Sequence, residues 1–386
     1  MRGSSDAART VLFVTDGRSA MIRDDGSGYA EFRFEVPNQV TWQPAGVFPD
    51  GRRLLFLSME ARRDGPGRPF EEYYTQTPTH LWSYDPARRE LKELVTRDRL
   101  AVFCTPQLIL SNDRLLVQVV KDRVGLVYSM NTDGSDARPF TRPGEGLPYG
   151  MDLSPDGRRV AFHLASPEGY QIWTCDTSGG DRRKLAGSSG HLYFGPVWSR
   201  DGAWIAYLDC EDGRDPGHDW ADAWVCRPDG REARRCTEGQ ALWFAATYGS
   251  PARRGGGSNV LSWTPDGHLL VARREPGTRV PWEYQAGRPD TDHFNREFKP
   301  ESAKGGTRIA RLDPRTGTMA DLTPGGEGVW ECRPTASAEG SRIVFCRALT
   351  GGQPELWVMR GDGRGERQLT AGYEGRGADH PRWMVK

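Results

Sequence analysis

Three short segments pair histidine with aspartate: GHDW at 217–220, DTDHFNR at 290–296 and ADHPRW at 378–383. A neutral imidazole beside a carboxylate can ligate a divalent metal, or act as a general base whose tautomer the carboxylate fixes. On that chemistry His293, His380, Asp379 and Asp292 are candidate metal ligands, and His218 and His191 are candidate bases. The expected cofactor is one divalent ion: manganese, calcium or zinc. The competing reading is that these side chains cap loops by bonding backbone groups. Arginines and aromatics add a second chemistry. Trp243, Tyr248, Arg253 and Arg254 share the stretch GQALWFAATYGSPARRGGG, Asn259 follows it, and Arg333 and Arg382 lie early in predicted strands. A guanidinium fork binds carboxylates bidentately, and flat aromatic faces suit sugar rings. Arg254 and Tyr248 are therefore placed with the catalytic groups. Trp243, Arg253, Arg333, Arg382 and Asn259 are placed with the substrate contacts. The ligand these residues suit is a small acidic carbohydrate of the uronate type, or another small molecule. Arginine–aspartate pairs that merely neutralise one another are the competing reading.

Other chemistries lack their motifs. The sequence has no HExxH, no cysteine–histidine zinc pattern, no EF-hand loop and no GxSxG elbow. The glycines at 255–257 precede a strand rather than a helix, so no phosphate cradle forms there. With 52 basic and 52 acidic residues the chain offers no electrostatic footprint for nucleic acid or an anionic membrane. MRGSSDAARTVLFVTDG lacks the apolar core of a signal peptide, and no apolar run has membrane-spanning length, so a cytoplasmic location is expected. The seven cysteines are odd in number and lack a CxxC; most fall in predicted strands, where they read as buried reduced thiols.

The elements that must position these groups come from a repeat. Residues 153–185, LSPDGRRVAFHLASPEGYQIWTCDTSGGDRRKL, hold a tight turn and then short apolar runs separated by further turn signals. Asp-Gly between alternating apolar residues marks a hairpin. Equivalent units occupy 40–95, 103–141, 148–186, 193–238, 258–324 and 329–370, each with four strands, a to d. The chain begins on a b-type pattern, RTVLFVTDG, and ends on an a-type pattern, HPRWMV. Segments 9–36 and 379–385 thus complete one another. The expected architecture is all-β: a single seven-bladed β-propeller domain over 1–386, closed by the last strand pairing with the first. Radial packing buries both faces of each sheet, which a lone sheet cannot do.

Connectivity assigns the site to one face. In an antiparallel a–b–c–d blade the a–b and c–d turns share one face, and the b–c and d–a connections share the other. Turns of the first kind are short (SPDG, SRDG, TPDG, TSGG). Those of the second kind include the insertions 59–79, 211–221, 239–257 and 274–306, rich in Trp, Tyr and Phe. Loops of that length are uncommon unless they carry function. Most histidines fall on the same side, with His268 of the PDGH turn the exception.

The pattern (S/T)-x-D-G-x-x-(I/V)-x-F, then (I/L)-(W/Y)-x-x-(D/N)-x-x-G, then L-T, resembles TolB-type β-propeller repeats over essentially the whole chain. Within that group DPGHDWADAWVCRPDG, residues 215–230, is similar to a run in oligogalacturonate lyases. That likeness implies a divalent metal held by histidines on the channel face, with a separate histidine base and a nearby arginine. The lyases' His-Pro-His-Pro stretch falls near Glu331–Pro334 here, and a further histidine falls near Val260, so those ligands and that base are absent. Only the His218 region and the general plan carry over. The expectation is a metal-assisted β-elimination on a uronate oligosaccharide, with His218 or His191 as base. The alternative is a non-catalytic propeller whose loop aromatics anchor a protein or glycan partner.

Overall fold

The b strands read as near-continuous apolar runs, LLFLS, VAFHL, IAYL, LLVA and IVFC, because each must bury both of its faces. They do so: Leu54, Leu55, Phe56, Val160, Phe162, Ile205, Leu208, Leu269, Val271, Val344 and Phe345 are all fully buried. Each such side chain contributes about 1.5–3 kcal/mol of burial. The structure is a computed structural model that describes residues 8–15, 18–60, 79–95, 108–121, 124–166, 169–211, 220–242, 260–284, 296–373 and 376–384.

Four-stranded antiparallel sheets follow the repeat. One consists of Gln39–Val47, Leu54–Glu60, Thr79–Asp85 and Glu90–Val95, and another of Val329–Ala336, Arg342–Leu349, Glu355–Arg360 and Arg367–Gln368. A third runs from Leu108–Ile109 to Arg138–Pro139. Between Leu147 and Asp321 the ladders run on from unit to unit. A single parallel pair, Tyr170 with Leu192, makes one join, and the short strand Ala241–Leu242 makes the other. The chain ends meet as the repeat requires. Asp379–Trp383 pairs antiparallel with Thr10–Thr15, Trp383 opposite Val11 and Arg382 opposite Leu12.

The repeated motif residues do repeated work. Ser154 donates to Asp156 Oδ1 at 2.6 Å and accepts the Arg159 amide at 2.9 Å, closing the a–b turn. Ser199, Thr264 and Ser337 do the same with Asp201, Asp266 and Glu339. A threonine at the end of several units accepts a c-strand amide: Thr141 from Val127, Thr237 from Ala223, Thr323 from Ile309 and Thr370 from Leu356. Tryptophans at the ends of a strands tie each inner strand to the one before it. The Trp263 indole donates to Val197 O at 3.1 Å, and that of Trp383 to Thr335 O at 3.0 Å. The a strands are thereby held side by side.

One insertion carries regular structure of its own. The stretch 274–306, expected as a loop, contains a two-stranded sheet of Trp282–Tyr284 with Arg296–Phe298 and a 3-10 turn at Pro300–Ser302. Trp282 is buried in the main core and its ring packs on Phe298 at 5.0 Å, which folds the insertion back on itself. The six cysteines among the described residues are free and buried, as expected; Cys104 lies outside them.

Candidate functional site

The first strand of several units carries the same irregularity. At Gly150–Met151, Gly195–Pro196, Arg333–Pro334 and His380–Pro381 the register slips, two residues standing opposite one on the b strand. The single residue opposite is a buried aromatic each time: Phe162, Tyr207, Phe345 or Phe13. The first residue of each bulge has positive φ, 55° at Gly150, 52° at Gly195, 50° at Arg333 and 55° at His380. Glycine meets that demand without strain. An arginine or a histidine there costs about 1–3 kcal/mol, a cost that concentrates at working sites. Val260 holds the equivalent place in its own unit, half-exposed, with Cγ1 2.8 Å from where a Gly195 Cβ would stand.

The two strained residues lie on neighbouring a strands and share a carboxylate. Arg333 Nε is 3.3 Å from Asp379 Oδ1, with only 7% of the arginine side chain and 14% of the aspartate exposed. The His380 amide donates to the same oxygen at 2.7 Å, and the Cys346 thiol donates to it at 3.3 Å. His380 Nδ1 stands 3.4 Å from Asp379 Oδ2. Burial opposes ionisation of Asp379, yet Arg333 and then His380 outweigh it and hold the carboxyl well below the usual range. The Cys346 thiol is pushed up by burial, beside Cys332 and Asp379, so it stays protonated and able to donate. His380 is lowered, first by burial and then by Arg333, with Asp379 acting against them, which favours the neutral imidazole; its side chain is still 45% exposed. Arg382, two residues on, is open to solvent and hemmed in by strands, and its Nη1 reaches Ala45 O of the next a strand at 3.5 Å. An imidazole and a cation therefore stand two residues apart on the last strand, beside the bulge in the middle of Val329–Ala336.

His191 stands apart, at the start of another a strand. Its Nδ1 is 2.8 Å from Asp209 Oδ1, its ring lies against Tyr193, and it is 37% exposed. The buried carboxylate can fix the tautomer of the imidazole through Nδ1. Of the residues singled out from the sequence, Arg333, Asp379, His380 and Arg382 come together, whereas His191 is partnered elsewhere. His218, Arg254, Tyr248, Trp243, Arg253, Asn259, His293 and Asp292 lie outside the described residues. The sequence reading missed Asp209, Cys346 and Asp152. Asp152, whose carboxyl accepts the Trp198 amide at 2.7 Å, is pushed up to about 6 by burial. The available signal was a polar residue inside an otherwise apolar strand, as in IAYLDC and IVFCR.

The described residues do not fit a metal ion. Among them no group of three or more His, Cys, Asp or Glu side chains converges as ligands, and Asp379 already has its charge matched by Arg333.

The chain matches no protein-family profile and no curated protein. Solved structures share its fold. An oligogalacturonate lyase in complex with manganese is 15% identical with a TM-score of 0.56, over 94% of this chain and 85% of that one. A puromycin hydrolase is 15% identical with a TM-score of 0.59, over 95% of this chain but 54% of its own, so the chain spans about half that hydrolase. A TolB protein of Agrobacterium tumefaciens is 17% identical with a TM-score of 0.44, over 84% of this chain and 94% of that one. The chain has a β-propeller-like fold. Its structural neighbours are TolB-like propellers, oligogalacturonate lyases and puromycin hydrolases, all at low identity. The Arg333–Asp379–His380–Arg382 group sits on the a strands, the first strands of neighbouring units.

Proposed function

We propose that the protein is a lyase acting on an acidic, uronate-type oligosaccharide at the channel mouth of a seven-bladed propeller domain spanning residues 1–386. The observation that carries the reading is the pair of strained bulge residues, Arg333 and His380, gathered around Asp379 with Arg382 alongside. Two units place glycine at this position; these two place a cation and an imidazole there instead.

In the proposed reaction Arg382 receives the uronate carboxylate in a charge-assisted contact. His380 Nε2 then takes the proton on the carbon next to that carboxylate. The C–H electron pair forms the new carbon–carbon double bond as the glycosidic oxygen at the β-carbon leaves and is protonated from solvent. Neutralising the carboxylate stabilises the charge that builds up on the enolate. Arg333 and Asp379 act through His380: Asp379 faces Nδ1, leaving Nε2 unprotonated, and Arg333 keeps Asp379 ionised. Arrival of the substrate's negative charge between Arg382 and His380 raises the imidazole's basicity as it is needed. The manganese is named for the lyase neighbour, and no step here runs through it. Elemental analysis of protein purified without chelators, beside the same analysis of H293A, reads whether the protein holds a divalent ion that depends on His293.

The test is incubation with de-esterified oligogalacturonates and related uronate oligomers, following the ultraviolet absorbance of the conjugated unsaturated product. Turnover that falls at least 100-fold in H380Q, with a raised KM in R382Q, is expected. Saturable binding without any unsaturated product, in several uronate series, would replace the lyase reading with that of a glycan-binding propeller.

A further inference from the structure

A second concentration of positive charge lies on the closing unit, outside the cluster described above. Glu31, at the end of the strand Ala30–Glu31, is only 7% exposed, and three arginines converge on it. Arg18 Nη1 stands 3.5 Å from Oε2, Arg33 Nη2 donates to Oε2 at 3.2 Å, and Arg376 Nη1 donates to Oε1. The Tyr29 hydroxyl also donates to Oε1, at 3.0 Å. Among the described residues, the ion pairs of these three arginines all end on Glu31.

That arrangement is unbalanced. Among the described residues three guanidinium groups meet one carboxylate, an excess of about two positive charges. Exposed ion pairs contribute little, and holding three long side chains on one point costs rotamer entropy. Mutual repulsion adds to that cost, so stability alone gives no reason for the group. Each guanidinium has five N–H donors and spends one nitrogen or fewer on Glu31, so most of the donors remain available. They border an open cleft of about 190 Å³ lined by Thr15, Arg18, Glu31, Arg33 and Arg376. One side is stiffened by Tyr29, whose ring stacks on that of Tyr373 at 3.7 Å.

We propose that this cleft is a second anion-binding site, taking an oxyanion group, carboxylate or phosphate, between Arg18, Arg33 and Arg376, with the Thr15 hydroxyl as a further donor. Glu31 fixes the three arginines and takes no part in holding the anion. The site lies on the face of the long connections, because Arg376 belongs to the d–a connection that leads into Asp379. Only Gly377 and Ala378 separate Arg376 from Asp379, so their Cα atoms stand no more than about 11 Å apart. That is close enough for a polyanionic chain held at the channel mouth to place a second charged group here. In that form the inference rests on the proposed lyase reading; binding of a free phosphate would not.

The experiment is calorimetric titration of the full chain with inorganic phosphate and, separately, with trigalacturonate, for wild type, R18Q/R376Q and E31Q. Circular dichroism and thermal melting confirm that each variant is folded. R18Q/R376Q is expected to weaken at least one of the two ligands 5–20-fold. E31Q, which removes the competing carboxylate, is expected to tighten the same ligand. Loss of trigalacturonate affinity identifies a subsite for the oligomer, and loss of phosphate affinity alone identifies a separate phosphate site. Unchanged affinity for both in R18Q/R376Q, or binding of neither by the wild type, overturns the proposal. If R18Q/R376Q binds as before while uronate turnover persists, only this inference fails. If turnover is absent while phosphate binding is lost in the variant, only the lyase reading fails.

Discussion

Replacing His380 with glycine tests whether the histidine is retained for function. At φ 55° a histidine occupies the left-handed region, whereas Gly150 and Gly195 meet the same bulge at 55° and 52°. Relief of that strain contributes about 1–2 kcal/mol in favour of the variant. Against it stand the extra freedom of an unfolded glycine, about 0.5–1 kcal/mol, and the loss of a half-exposed contact with Asp379, about 0–1 kcal/mol. The amide of residue 380 still donates to Asp379, because that bond is made by backbone. H380G is therefore expected within about 1 kcal/mol of wild type, on either side of zero. The reverse exchange behaves differently. In G150A the new Cβ lies 2.9 Å from His163 Nδ1, and the ring has no room to retreat between Tyr149 and Tyr170. Strain and clash together make G150A about 2–4 kcal/mol less stable. Urea unfolding followed by circular dichroism measures both, and uronate turnover is measured on the same samples. The reasoning fails if H380G loses more than about 2 kcal/mol, or if it remains fully active. In the first case the histidine is structural; in the second the base lies elsewhere, with His191 the next to test.

Four further outcomes can be measured. R333M leaves the Asp379 carboxylate buried and unpaired and is expected to cost about 3–5 kcal/mol, most of it recovered in R333M/D379N. Denaturant unfolding of both variants checks this, and a single variant near wild type would mean that the pair contributes nothing. Asp379 is held below its usual range, so it stabilises the fold above the unfolded value of about 4, and that stability is lost as pH falls below it. Acid titration of D379N should lack this component. Asp152 has the opposite sign. Its carboxyl is raised to about 6, so the folded state holds the proton more tightly and stability declines as pH rises from about 4 to about 6. D152N, which keeps an oxygen for the Trp198 amide, should exceed wild type by about 2 kcal/mol at pH 8 and match it below about pH 4. Thermal melts across that range would show a parallel offset if the argument is wrong. T141V strands the buried Val127 amide, which Thr141 accepts at 2.9 Å, and should cost about 1–3 kcal/mol in denaturant unfolding.

The repeat was legible because its signals are local. Serine or threonine two residues before an aspartate closes a turn with its own neighbours, as Ser154 does with Asp156 and Arg159. The apolar b strands declare their double burial one residue at a time. The joining of the two ends was legible as well, since an unpaired b pattern at one end and an unpaired a pattern at the other have a single economical solution. Thr10–Thr15 and Asp379–Trp383 pair as that solution requires.

The site was legible in part. Histidine beside aspartate at 379–380 and arginine at 333 and 382 were visible as types, but nothing in the sequence said that Arg333 would meet Asp379. Forty-five residues of chain separate the two, and only the placement of neighbouring a strands, tied by Trp383 to Thr335, brings them within 3.3 Å. The same holds for Cys346 and Asp209, whose roles depend on what a neighbouring strand sets opposite them. The bulge was hidden too: glycine in YGM and FGP, arginine in CRP and histidine in DHP do not look alike as residues. They are alike in backbone conformation, and that is imposed by closing each inner strand against a buried aromatic. The sequence by itself thus determined the strands, their turns and the joining of the chain ends, because hydrogen bonding and burial act over a few residues. The tertiary structure decided which charges meet and which backbone positions carry strain, because those depend on distances between strands far apart in the chain.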